Sequence, residues 1–389
     1  MSDTALRSKL QHFLRGSWTG AKRVQGLQGS ARAYVLSLLA EDSRRPILVV
    51  SPSGRDAENL HDDLAFFTGE KDSLSPFRNR LHLFPSWEIL PFEGLSPHPD
   101  NVAARLEGLY KWIEEPAPIL IASVAALMQK VIPREALRQS YLYLVAGQDL
   151  PREALLEHLV QWGFQNVPLV EERGDFSVRG GIIDLFSPGY ARPLRLEFDG
   201  DQLESIREFN PSSQRSERLQ EEMLVLPIKE FSLRRSTLED ALRQVDLRAA
   251  ELEMDRREKN SLLESLREGI LFPGMEFLVP YFYPALAPVF SYLPPETLIW
   301  LDGADRVEAE AERFGRLAWE RNEKAKEERR LVPPAESLYL NEHEWRAALH
   351  SFAQVQGESL TIMASSENAH ESTLTLESFL VSDVRQAKA

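Results

Sequence analysis

The feature that most constrains this chain is a change of rhythm along it. Over about the first 130 residues, short β-rich apolar runs alternate with segments of helical period. Ile47–Ser51 reads as a buried strand. A helix follows from about Arg55 to Phe67, with Ala57, Leu60, Leu64 and Phe67 on one face and Thr68-Gly69 as its stop. Leu81–Phe84 and Ile119–Ala122 repeat the strand pattern. Asn101–Ile113 repeats the helical one, through Val102, Leu106, Leu109, Tyr110 and Ile113. Apolar strands separated by helices predict an α/β fold: a mainly parallel sheet with helices on both faces.

Beyond this region the rhythm becomes dense and β-like. After a helix at Pro151–Trp162, with Leu155, Leu156, Leu159 and Val160 inward, come Val167–Val170, Asp175–Arg179, Ile182–Phe186, Pro193–Phe198 and Leu203–Phe209. Gly180-Gly181, Pro188-Gly189 and Asp199-Gly200 lie between them as turns. This predicts an antiparallel α+β unit of about 80 residues, inserted because α/β character resumes later. Ala249–Glu268 reads as a charged helix, Phe272–Pro295 as an irregular packed connection and Thr297–Leu301 as a strand. Ala304–Arg330 and Glu342–Ser351 read as helices and Ser359–Met363 as a strand. The expected division is 1–130 and 213–340 for two parts of one α/β domain, 131–212 for the insert, and 341–389 for a linker and the start of the next domain.

Composition narrows the function. The 389 residues carry a formal net charge of −15, so a phosphate backbone is repelled unless basic residues gather in one place. With no cysteine, disulfides, thiolate metal sites and a cysteine nucleophile are excluded. MSDTALRSKL has no apolar stretch after its charges, and no apolar run is long enough to span a bilayer, which predicts a cytoplasmic protein without a membrane partner.

Gly26-Leu27-Gln28-Gly29-Ser30-Ala31-Arg32-Ala33 leads into an apolar helix. Laid on the phosphate-loop pattern G-x-x-x-x-G-K-[ST], Gly26 fits. Ala31 stands where the second glycine belongs, Arg32 where the lysine does and Ala33 where the hydroxyl does. Ala33 has no oxygen for a metal, and Arg32 lacks the compact ammonium. The stretch reads either as a plain glycine turn capping a helix or as a nucleotide fold that no longer binds. Metal candidates are weak: His61, Asp62 and Asp63 do not share a helix face, Asp100 in Ser96-Pro97-His98-Pro99-Asp100 reads as a helix N-cap, and His343 and His350 lack a third ligand.

The insert is more informative. In Leu194–Asp199 strand period puts Leu194, Leu196 and Phe198 inward and Arg195, Glu197 and Asp199 outward. Phe176 and Val178 likewise turn in and Arg179 out. Shared in one sheet, Arg179 and Arg195 present guanidinium groups beside Glu197. That suits either a polar protein contact or a solvated face of cross-strand ion pairs.

An ordered series of short stretches carries a resemblance. It includes Phe84-Pro85-Ser86-Trp87-Glu88, Ser96-Pro97-His98 with Arg105-Leu106, and Leu127-Met128-Gln129-Lys130. It continues with Gly174-Asp175-Phe176, Asp184-Leu185-Phe186, Leu194-Arg195-Leu196-Glu197-Phe198, Ser213-Gln214-Arg215-Ser216 and Pro273-Gly274-Met275-Glu276. Over roughly residues 15–340 the chain resembles the N-terminal region of the bacterial transcription-repair coupling factors, which is itself similar to the front of the excision-repair protein UvrB. The resemblance implies a UvrB-like α/β domain split by a UvrA-binding insert. The family's UvrA-contacting arginines fall on Arg179 and Arg195. A third contact, aromatic in some members, falls on or next to Asp199, beside Phe198, and Glu197 matches an acidic position supporting Arg195. It further implies a monomeric, non-catalytic recruiting module without cofactor. RNA polymerase, double-stranded DNA, ATP and magnesium belong to other domains of the full-length family member. The competing expectation is a UvrB-like or helicase-like nucleotide-dependent enzyme acting on DNA.

Overall fold

The computed structural model describes residues 3–15, 21–69, 79–90, 94–232, 234–270, 272–359, 373–376 and 380–381. Its body is a seven-stranded, all-parallel sheet. The order is Thr373–Thr375, Lys22–Gln25, Ala353–Glu358, Leu298–Asp302, Ile47–Ser51, Ile119–Ser123 and Leu81–Phe84. Three adjacent inner strands, LIWLD, ILVVS and ILIAS, are buried along their whole length, because helices cover both faces. Ala31–Ser43 and Gly54–Thr68 pack with Val49, Ile121 and Trp300 on one face. Pro99–Glu114, Ala304–Glu327 and Glu342–His350 pack with Leu48, Leu120 and Ile299 on the other. The α/β class read from the sequence is the observed one.

The chain leaves and re-enters this body through a two-stranded antiparallel stem, Leu142–Val145 against Glu222–Val225. Beyond the stem lies a six-stranded sheet in the order Ser216–Gln220, Gln202–Phe209, Leu194–Asp199, Ile182–Leu185, Asp175–Arg179, Gln165–Asn166. It is antiparallel except for its last pair. Phe176, Ile183, Leu185, Leu194, Leu196, Phe198 and Ile206 close its inner face against Leu155 and Leu159 of the helix Arg152–Gln161.

Where unit meets body, the polar contacts are specific. Arg105, fully buried on Pro99–Glu114, donates to Glu230 at 2.7 Å and lies over the rings of Phe84 and Trp87. Trp87 Nε1 donates to the same Glu230 oxygen at 3.1 Å. Arg173 of the insert pairs with Asp100 of the body at 2.6 Å, and Lys229 with Glu276 at 3.4 Å.

Several local expectations are corrected. The charged helix is two helices, Arg235–Glu251 and Arg256–Arg267, which pack on each other across a break where Glu253 takes φ 50°. The strand near 167–170 lies earlier, at Gln165–Asn166: Pro168 has no N–H for a ladder. Val160 is exposed rather than inward. His98, not Asp100, caps Pro99–Glu114, its Nδ1 accepting from Asp100 N, with Pro99 in the first turn. The late strand is Ala353–Glu358, while residues 360–363 lie outside the described residues.

Candidate protein-interaction site

The phosphate-loop-like stretch forms a strand-to-helix turn. Lys22–Gln25 ends at Gly26, whose φ of 84° favours glycine, and Ala31–Ser43 begins after Ser30. Within the turn, Gln28 and Gly29 pair with Leu380 and Val381, and Leu27 N donates to Glu358 O at 3.1 Å. Ala31 and Ala33 are buried, and Ser30 Oγ donates to Asp63 at 3.0 Å. Arg32 Nη1 donates to both oxygens of Asp302 at 2.8 Å. Asp302 is buried at the carboxyl end of its strand; burial pushes its carboxyl above the usual range, against the opposing pull of Arg32. Sequence reading missed Asp302. Its signal was an apolar strand, LIWLD, ending in an acid, the position at which phosphate-loop enzymes hold their metal. In this chain that acid faces a guanidinium of the same chain.

In the insert, strand register fixes the outer face. Ser177, Asp184, Arg195, Arg207 and Leu219 form one cross-strand row; Arg179, Ile182, Glu197 and Ser205 form the next. The row brings the two expected arginines onto one acid that patterning had not paired with them. Arg195 Nε and Nη2 donate to the two oxygens of Asp184 at 2.7 and 2.9 Å, and Arg179 Nη2 donates to Asp184 at 2.5 Å. These hydrogen bonds raise the Arg195 pKa further above its usual value. Arg195 also lies over the Phe209 ring at 4.9 Å, and its Nη1 reaches Gln214 O at 3.3 Å. Glu197 accepts from Ser205 at 2.5 Å and faces Arg207 at 3.5 Å rather than Arg195. Asp199 is exposed at the end of its strand, where the chain turns at Gly200. Phe198 points the other way, into the core. Among the described residues no group of three or more His, Asp or Glu side chains is placed to hold a metal ion, and no helix is long and apolar enough to cross a membrane.

The fold and this face together define a class: an α/β body carrying an inserted domain of the kind found in UvrB. The family model of the UvrB interaction domain matches residues 142–231, the stem and sheet just described. Most of the chain matches the N-terminal region of the transcription-repair-coupling factors. It is 36% identical to that of Myxococcus xanthus over 356 residues, which is 87% of this chain and 29% of the relative. It is 32% identical to that of Escherichia coli over 355 residues, 90% of this chain and 30% of the relative. With that of Bacillus subtilis it shares 29% over 307 residues, 76% and 25% respectively. The chain thus spans under a third of the length of these relatives.

Proposed function

We propose that this chain is the UvrA-recruiting part of a transcription-coupled repair factor and that the insert's outer face makes the contact. The observation that carries the reading is the Arg179–Asp184–Arg195 cluster. It sits on the solvent side of the segment matched by the UvrB interaction domain. Arg179, Arg195, Glu197 and Asp199 form the outer-face set assigned to UvrA binding, whether by touching the partner or by holding the residues that do, with Phe198 supporting the strand from beneath. The division at 1–130, 131–212, 213–340 and 341–389 belongs to the same reading. RNA polymerase, double-stranded DNA and the ATP-driven motor belong to the parts of the relatives that this chain does not match. The chain acts as a monomer in the cytoplasm, without cofactor or catalysis of its own. What supports a non-catalytic body is the Arg32–Asp302 pair, which commits to each other the two residues nearest to a nucleotide site's cation and metal ligand. The test is a binding titration with purified UvrA. Arg179→Glu with Arg195→Glu is expected to abolish binding, at about 2–5 kcal/mol for desolvated charge pairs. Because position 195 faces the buried Asp184, Arg179→Glu alone, which keeps the Arg195–Asp184 pair, is the variant expected to lose binding with circular dichroism unchanged. Failure of the wild-type chain to bind, or ATP hydrolysis by it, sinks the reading.

A further inference from the structure

Exposure along the cross-strand row is uneven. Asp184 is 1% exposed, the Arg195 side chain 14%, the Arg207 side chain 43% and Leu219 59%. The Arg179 side chain, on the other side of Asp184, is 49% exposed. Arg195 is spent within the molecule: Nε and Nη2 on Asp184, Nη1 on the loop carbonyl of Gln214, and its face on Phe209. Arg207 holds only weak contacts, 3.4 Å to Ser205 and 3.5 Å to Glu197. It also stands directly opposite Arg195 in register. Like charges directly opposite one another in a sheet are unfavourable. One buried carboxylate serves two guanidiniums, and Glu197 serves the third arginine, so these two rows hold three guanidiniums against two carboxylates, with Asp199 one row further on at the strand end, on a chain of net charge −15. Such a local excess is relieved by an acidic partner surface and costs stability without one.

We infer that Arg207, with Leu219 beside it on the edge strand Ser216–Gln220, is a direct contact for an acidic patch of the partner protein. Arg195 is then a positioning residue that anchors Asp184 and through it orients Arg179. This rests on the reading that the outer face binds UvrA. The partner places carboxylates against two exposed guanidiniums, Arg179 and Arg207, three strand spacings or about 14 Å apart across the sheet and one row apart along it. It covers the apolar Leu219 at the same time. Ligand chemistry and register agree here: the two reachable arginines flank the one that is not reachable.

The experiment titrates the full chain with purified UvrA at several salt concentrations. Arg207→Glu is expected to weaken binding tenfold or more and to flatten its salt dependence. Arg207→Lys is expected to stay within about threefold, since it keeps the charge. Arg218→Glu carries the same charge change on the same edge strand but lies one residue out of the row, on the opposite side of the strand. It is expected to bind like wild type. Arg195→Lys keeps the charge but loses the fork on Asp184, so affinity falls while the salt dependence stays; an equal loss for Arg179→Ala in the Arg195→Lys background and in wild type overturns the positioning role. If Arg207→Glu lowers the thermal midpoint, Arg207→Gln reads the same contact without reversing charge. A wild-type chain that binds UvrA while Arg207→Glu and Arg207→Gln bind equally well overturns this assignment alone. A wild-type chain that does not bind UvrA overturns the reading beneath it.

Discussion

Arg32 illustrates how one residue decides what a fold is able to do. In a phosphate loop the corresponding lysine faces a bound phosphate; here the longer, planar cation turns to Asp302, and the pair is internal. Removing the cation leaves a buried carboxylate without its partner, so Arg32→Ala is expected to destabilise the body by about 2–3 kcal/mol in urea unfolding. Asp302→Asn is expected to cost less, because a neutral amide is cheaper to bury than an unpaired charge. A second buried group sets a pH response. Burial drives the Glu107 carboxyl from 4.5 up to about 7, against the opposing Lys111, and the nearby His82 imidazole from 6.5 down to about 3. Between pH 4.5 and 7 the folded chain therefore holds a proton on Glu107 that the unfolded chain has released, and this group's contribution to stability falls as pH rises. His82 works in the opposite direction between pH 3 and 6.5. Glu107→Gln keeps only the neutral form. Its stability relative to wild type is thus expected to improve from pH 4.5 to 7.5, read from denaturant midpoints at fixed ionic strength.

The hairpin that carries Arg179 depends on Gly180-Gly181. Gly180 takes φ 59°, and a Cβ on Gly181 would meet Phe198 O at 2.5 Å, inside the strand that carries Arg195. Gly181→Ala is expected to push the two arginine strands apart, costing about 1–3 kcal/mol and weakening UvrA binding beyond what a remote site of equal cost does. A binding titration beside a thermal melt separates the two effects. This glycine turn was legible in the sequence, as were the α/β alternation and the outward set Arg179, Arg195 and Glu197, because each is written in local period. What was not legible depends on pairing between distant segments. The register that sets Arg207 opposite Arg195 joins two strands, and the burial of Arg195 comes from Gln214 and Phe209. Asp302 meets Arg32 across 270 positions. The break between the two helices at Leu252–Asp255 lies in a stretch without glycine or proline. There the packing of one helix on the other overrides a continuous charged pattern.

At the scale of the whole molecule the question is why the six-stranded sheet is inserted within a domain rather than hung from its end. The stem answers it: Val145 and Glu222 are register partners, so the chain leaves and re-enters the body at one place and the parallel sheet is not interrupted. Two connections hold the insert's orientation where one would leave it free, and Arg105–Glu230 ties the segment that follows the returning strand to the helix Pro99–Glu114. The geometry predicts that the body survives removal of the insert. Joining Val145 to Glu222 through Asn-Gly closes the stem as a two-residue hairpin. Leu144, Met223 and Val225, which face the insert's core, become Thr to avoid an exposed apolar patch. This shortened chain is expected to unfold in one cooperative transition, with its helical signal retained, and to show no affinity for UvrA. Breaking Arg105–Glu230 in the same chain by Arg105→Ala leaves Glu230 buried without a cation and is expected to cost about 3–5 kcal/mol. The loss falls on the junction and the body's core, where Arg105 lies over Phe84 and Trp87, and not on the outer face, so in the full chain the same substitution should lower the melting temperature far more than it lowers affinity for UvrA measured below that temperature.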